Sequence, residues 1–209
     1  MVTPTSGTDT TYWLSDQINV TFSPYEDRLI IRAQRKDHGT VHLLLTRRMS
    51  MIVLHQLLAS LATLSGLSKT PAQYWQDVLH MAHQHAMQAK LDADEASVSS
   101  ESQGQESSVQ PDADTAAASA AIFLATEVTI QTGDQQLLLA FKGLPMPKAM
   151  TQPSAHEPVF ATQMQIEHMH QLLQLLINKA QEAQWHLPLD LPWLQNPDLQ
   201  PTSLGASVH

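Results

Sequence analysis

Three short blocks of sequence recur in the same order on the two sides of the chain's middle, and this repetition limits the folds the chain can adopt. The matched pairs are residues 13–20 with 123–130, 28–32 with 136–140, and 54–58 with 169–173. The partners are separated by 110, 108 and 115 residues, so the offset drifts only slightly along the chain. One such match arises easily by chance, whereas three collinear matches do not. The sequence therefore predicts an internal duplication.

Each copy has the pattern of three strands followed by a helix. In the first copy, Ile18 and Val20 alternate with polar residues, which is the period of a half-buried strand. Two more strands are predicted at 28–35 and 41–46, each preceded by residues that favour turns. The second copy follows the same plan, but its third strand is expected to be short, at 158–161.

An apolar stripe at helical spacing follows the third strand of each copy. Thr46 and Thr162 are predicted to cap the two helices, because a threonine oxygen accepts a hydrogen bond from the first helical turn. The stripe residues are Met51, Leu54, Leu57, Leu58, Leu61 and Leu64 in the first copy, and Ile166, Met169, Leu172, Leu173, Leu176 and Ile177 in the second. A further helix outside the repeat is predicted from Thr70 to about Lys90.

The predicted fold class is α+β, an internal duplication of a β-β-β-α unit that forms one pseudo-symmetric domain with its helices on one face of the sheet. A disordered acidic linker is predicted between the copies, because residues 90–120 hold seven acidic residues, one lysine and no aromatic residue. The expected divisions are 11–90 for the first copy with the extra helix, 91–120 for the linker, 121–195 for the second copy with an extended Pro/Trp segment, and 196–209 for a disordered tail.

Composition excludes several classes of site and disfavours some partners. The chain has no cysteine, which excludes disulfides, thiolate zinc sites and cysteine nucleophiles and agrees with a reducing compartment. The formal net charge is −9 and the basic cluster within residues 28–48 is small, so nucleic acid is not an expected partner. No apolar run is long enough to cross a bilayer and the first residues have no secretory signal pattern, so we expect a cytoplasmic protein without membrane insertion.

No motif of catalysis or cofactor binding is present. The seven glycines form no phosphate-binding loop, and no Gly-x-Ser-x-Gly nucleophile elbow occurs. His80, His83 and His85 are close in sequence, but a zinc site needs three or four converging ligands and helical spacing turns His85 away from the other two. The sequence therefore predicts a protein that is not an enzyme and has neither a cofactor nor a metal site.

The first functional hypothesis is a protein-interaction module, that is, an adaptor, an assembly factor or a structural subunit of a larger complex. A protein partner is expected, and homo-oligomerisation stays open. Residues 143–157 are predicted to form a loop, because three prolines interrupt them, and loops are where binding residues are concentrated. The expected contact residues are Leu144, Met146 and Met150 of this loop, with Trp185 and Trp193 of the extended segment.

The alternative hypothesis is a regulatory module that senses a small molecule or a metal ion. His55 and His170 fall at the same place in the matched blocks, and equivalent positions of a duplicated fold come close together when they lie near a pseudo-twofold axis. Because histidine titrates near neutral pH, such a pair would suit a shared site or a pH-sensitive contact. The plainer interpretation is a histidine at a helix border that both copies inherited.

Overall fold

A computed structural model describes residues 11–36, 38–65, 67, 70–101, 120–133, 136–188 and 191 of the chain. The strands are β1 (Ser15–Ser23), β2 (Arg28–Arg35), β3 (Gly39–Leu45), β4 (Ala121–Thr132), β5 (Gln136–Met146) and β6 (Glu157–Gln165). The helices are α1 (Arg47–Leu64), which follows β3, α2 (Trp75–Glu101), which precedes β4, and α3 (Ile166–Glu182), which follows β6. The fold is mixed α+β, with three strands and a helix before α2 and again after it.

The six strands of the described residues lie in one sheet, in the order in which they occur along the chain. Neighbours within each group of three are antiparallel, whereas β3 and β4 are parallel, with residues 41–44 beside 121–124. Leu14, just before β1, forms a parallel bridge with Ala161 of β6, and the Ala161 N–H donates to the Trp13 carbonyl over 2.8 Å. The sheet therefore curves until its two outer edges meet at this bridge.

One face of the sheet forms the main hydrophobic core together with α1 and α3. Leu29 and Ile31 of β2 belong to the same buried cluster as Leu57 of α1 and Leu173 of α3. Because successive side chains of a strand point to opposite sides, the residues between them lie on the other face. A second, small cluster covers part of that other face, and it consists of Tyr12, Leu14, Leu138, Ala140 and Ala161.

The helices that follow β3 and β6 begin differently, and the predicted cap of the second one is wrong. The Thr46 side chain accepts a hydrogen bond from an N–H of the first turn of α1 over 3.2 Å, as predicted. Thr162 instead lies buried inside β6, which continues past its predicted end to Gln165. Helix α3 begins at Ile166, and Gln165 takes the cap position without a side-chain hydrogen bond.

Part of the predicted loop at 143–157 is strand. β5 continues to Met146, and Pro145 pairs with a residue of β4. A proline is tolerated there because β6 stops pairing with β5 at Gly143, so the last residues of β5 lie at an edge of the sheet. The irregular segment is therefore shorter than predicted, and it contains a 3₁₀ turn at Lys148–Met150.

The extra helix is longer than predicted. α2 continues beyond Lys90 to Glu101, so the first part of the predicted 91–120 linker is helical. Residues 102–119 of that linker and the 196–209 tail lie outside the described residues. Across the described ranges, no helix is both long and apolar enough to span a membrane.

Candidate functional site

Helix α2 packs on α3 through a small interface that contains two histidines. His83 and Ala86 of α2 are buried there, and His170 of α3 is fully buried. The imidazole rings of His83 and His170 have their centres 5.6 Å apart, and Gln171 Nε2 donates a hydrogen bond to the Ala86 carbonyl over 3.0 Å. Polar as well as apolar groups therefore hold α2 on the rest of the fold.

Burial favours the neutral form of both histidines. The pKa of His170 is lowered to about 4, mainly because burial removes water from the ring; the charge of a protonated His83 adds to this effect and Glu167 opposes it. The pKa of His83 is also lowered, first by burial and then by His80, against a hydrogen bond with Gln174. Both rings are therefore neutral at physiological pH.

The two histidines proposed as a regulatory pair lie in different environments. His55 is exposed on α1, whereas His170 is buried against α2. His55 lies eight residues after Arg47, where α1 begins, and His170 lies four residues after Ile166, where α3 begins. They are therefore displaced by about one helical turn relative to their helices. Sequence reasoning missed the contact with His83, because the packing of α2 on α3 leaves no local pattern in either segment.

Large apolar side chains lie on an exposed side of α2 and of the 3₁₀ turn before it. Met81 is 69% exposed and Trp75 is 40% exposed, while Tyr74 is exposed and Val78 is half-buried. Residues three, four and seven apart lie on the same side of a helix, so Tyr74, Val78 and Met81 form a stripe. Trp75 lies next to Tyr74 and three residues before Val78, so it adjoins this stripe. Tyr74, Trp75, Val78 and Met81 are together called the helix stripe below.

A second apolar surface lies at the end of the β4–β5 pair. Ile122 of β4 is directly opposite Met146 of β5, and Leu144 shares their face because alternate residues of a strand point the same way. Leu144 and Met146 are half-buried. Met150, within the 3₁₀ turn after β5, is 72% exposed. Ile122, Leu144, Met146 and Met150 are called the hairpin patch below.

Of the two tryptophans expected to contact a partner, only Trp185 lies within the described residues. Trp185 is only 2% exposed, and its Nε1 donates a hydrogen bond to Asp27 Oδ1. It therefore belongs to the core and is not available at the surface. Trp193 lies outside the described residues.

An open cleft of about 1030 Å³ lies beside the place where β1 and β6 meet. Its lining comes from β1, β2, β3, β6, α2 and α3, and its titratable residues are Asp16, Arg32, His42, Lys90 and His168. The pKa of His42 is lowered, first by burial and then by the charge of Arg32. Arg32 belongs to the basic cluster seen in the sequence, but the cleft itself joins residues that are far apart along the chain.

Within the described ranges, no three histidine, aspartate or glutamate side chains form a group that could hold a metal ion. No protein-family model matches the chain, and neither a curated protein nor a solved structure matches it. Function is therefore inferred from the exposed apolar surfaces and the cleft.

Proposed function

We propose that the protein is a non-enzymatic protein-interaction module, namely an adaptor, an assembly factor or a structural subunit, which binds its partner through the helix stripe and the hairpin patch. The net charge of −9 disfavours nucleic acid as that partner, since phosphate groups would be repelled. The absence of cysteine supports a cytoplasmic location.

The observation that supports this function most directly is the exposure of α2. The helix has 27 residues, and of its described side chains only His83 and Ala86 are buried. A surface helix normally turns its apolar stripe toward the core and its polar residues toward water. Here Trp75 and Met81 face water instead. Contiguous exposed apolar side chains on a folded protein mark interaction sites.

The hairpin patch offers a second contact region. Met150 projects from a short loop, and methionine adapts its shape to different apolar surfaces. Pro147 and Pro153 flank this part of the loop and restrict its backbone, which lowers the entropy that would be lost when a partner orders it. Trp185 is excluded from this surface because it is buried. Trp193 stays a proposed contact.

We also infer that the two β-β-β-α units are copies of one ancestral unit. Counted from the first residue of each helix, buried positions of α1 and α3 coincide. The coinciding pairs are Ser50 with Met169, Val53 with Leu172, Leu54 with Leu173, Leu57 with Leu176, and Leu61 with Ala180. The parallel pairing of β3 with β4 likewise corresponds to the parallel bridge beside β1 and β6. A pseudo-twofold relation between the halves explains both correspondences, with the acidic segment 91–120 as the connection.

The double variant Trp75→Gln/Met81→Gln tests the proposed binding function. Affinity capture from the native host, quantified by mass spectrometry, should recover at least one protein with the wild-type chain and clearly less of it with the variant. Tyr25→Gln is the matched control, because Tyr25 is 97% exposed in the turn between β1 and β2 and lies outside both apolar surfaces. Tyr25→Gln should alter stability by only about 0.5 kcal/mol, whereas the double variant should lose about 1 kcal/mol and stay folded, because Trp75 Nε1 donates a hydrogen bond to the Thr70 carbonyl over 2.8 Å.

Sedimentation of the purified chain separates a foreign partner from a second copy of the same chain. Self-association that the double variant abolishes would identify the partner as another copy. The proposal fails if the chain is monomeric and if wild type, double variant and Tyr25→Gln capture the same proteins in the same amounts.

A further inference from the structure

The cleft lies where the two outer edges of the sheet separate. The edges touch at the bridge between Leu14 and Ala161, and no further pairing between β1 and β6 is found among the described residues. Helix α3 continues from β6 along this gap, and Lys90 of α2 lines another side of it. Residues from several elements therefore converge on one open space, as they do in ligand-binding sites.

The charge in the cleft is opposite to that of the whole chain. Arg32 and Lys90 line it together with His42 and His168, and Asp16 is the single carboxylate among its described lining residues. The chain as a whole has a net charge of −9. Within the described ranges, neither Arg32 nor Lys90 has a carboxylate within ion-pair distance. Such a local excess of positive charge attracts anions.

The effect of Arg32 on His42 agrees with this excess of positive charge. Burial first and then the charge of Arg32 lower the pKa of His42. An anion bound beside Arg32 would offset the charge that acts on His42.

The uncharged lining suits a ligand with several hydroxyl groups. Amide and hydroxyl side chains come from both sides of the cleft, with Gln17 and Asn19 on β1 and Thr162 and Gln163 on β6. Amide side chains both donate and accept hydrogen bonds, which matches a ligand hydroxyl group in either role. Leu172 and Leu175 of α3 add an apolar wall for a carbon skeleton. The volume of about 1030 Å³ is large enough for a small metabolite.

We propose that this cleft binds a small, hydroxylated organic anion, with Arg32 and Lys90 contacting its phosphate or carboxylate group and the amide side chains contacting its hydroxyl groups. Arg32 can form two parallel hydrogen bonds with either kind of anionic group, whereas Lys90 acts as a point charge. Because Lys90 is on α2 and Arg32 is on β2, the ligand would also link α2 to the sheet. The site is separate from the helix stripe and the hairpin patch.

Isothermal titration calorimetry of the full chain tests the site with four probes: glucose 6-phosphate, gluconate, glucose and inorganic phosphate. We expect at least one of the two sugar anions to bind at least about tenfold more tightly than glucose and inorganic phosphate do, a difference of about 1.4 kcal/mol. Comparison of glucose 6-phosphate with gluconate shows whether the site prefers a phosphate or a carboxylate. Affinity should also fall as salt is added, because the contact is between charges near the surface.

Arg32→Gln and Lys90→Gln should each weaken binding about tenfold, since each removes a charge-assisted contact. Arg48→Gln is the matched control, because Arg48 is an exposed arginine at the start of α1 that does not line the cleft. Arg32 and Lys90 are both exposed, so an unchanged melting temperature will show that the variants are folded. The proposal is overturned if neither sugar anion binds at millimolar concentration, if glucose or inorganic phosphate binds equally well, or if both cleft variants keep full affinity.

Discussion

Trp185 Nε1 donates a hydrogen bond to Asp27 Oδ1 over 2.6 Å, which joins the segment after the last helix to the turn between the first two strands. The Trp185 ring also meets Phe22 edge to face, with ring centres 6.4 Å apart. Asp27 adopts a left-handed backbone conformation, with φ of 50°, in this turn. The end of the second three-strand unit therefore covers one end of the core built by the first.

Trp185→Phe should lower the free energy of unfolding by about 2–3 kcal/mol, because it removes the hydrogen bond and also leaves a cavity where part of the buried indole packed. Asp27→Asn keeps an acceptor oxygen at the same place and should cost less. Urea denaturation followed by circular dichroism measures both. Equal stability of Trp185→Phe and wild type would mean that the hydrogen bond contributes nothing.

Thr46→Ala should destabilise the protein by about 1 kcal/mol, because it removes the side-chain oxygen that accepts a hydrogen bond at the start of α1. Gln165→Ala is the matched variant at the start of α3, where the cap side chain makes no such bond, and it should change stability little. Thermal unfolding of the two variants gives the comparison. Similar losses in both would contradict the difference between the two helix starts.

Stability should fall on the acid side of neutrality because of the buried histidine pair. The pKa of His170 is lowered from 6.5 to about 4 in the folded chain, so between these pH values the unfolded chain binds more protons. Its contribution is complete above pH 6.5 and is lost as the pH falls toward 4. The loss should be on the order of 3 kcal/mol. The lowered pKa of His83 acts in the same direction.

His170→Met separates this effect from that of other acid-sensitive groups, because it replaces the titrating ring with an apolar side chain of similar length. Urea denaturation between about pH 7.5 and about pH 4.5 should give a flatter stability curve for His170→Met than for wild type. His55→Gln is the control, since His55 is exposed and should leave the curve unchanged. An equally steep curve in His170→Met would assign the acid sensitivity to other residues.

Local sequence patterns predicted the first three strands and α1 well. The second strand was predicted at 28–35 and spans those residues, and Thr46 caps α1 as expected. These features depend on residues that are neighbours in sequence. Thr162 is a favourable helix cap by type, but pairing with Leu139 holds it in β6. That pairing is tertiary, and a pattern read along one segment does not reveal it.

The matched sequence blocks pair α1 with α3 in a register that differs by one helical turn from the register obtained by counting from the first residue of each helix. In the matched blocks His55 is the counterpart of His170. Counting from the first residue of each helix makes Met51 the counterpart of His170 instead. A shift of four residues leaves a leucine stripe on the same side of a helix. The apolar pattern alone therefore does not distinguish the two registers.

The candidate sites were less predictable than the fold. Arg32, His42, Lys90 and His168 lie on four different elements, and only the closure of the sheet and the docking of α2 bring them to one cleft. Met150 was predicted as an exposed contact residue from its loop composition alone, and it is exposed. Trp185 was placed by composition in the same surface, but its long-range hydrogen bond and burial put it in the core.

Gly143→Ala should destabilise the protein by about 1–3 kcal/mol, because a Cβ at this buried position would lie 2.7 Å from the Leu124 carbonyl oxygen and 3.1 Å from Phe123 Cβ. The nearest atom belongs to the backbone of β4, so relief requires the two strands to move apart. Gly133→Ala is the control, since its nearest neighbour would be 3.5 Å away. Both substitutions reduce the freedom of the unfolded chain alike, so their difference in urea denaturation isolates the steric clash. Equal stability of the two variants would show that β4 and β5 do not approach this closely at Gly143.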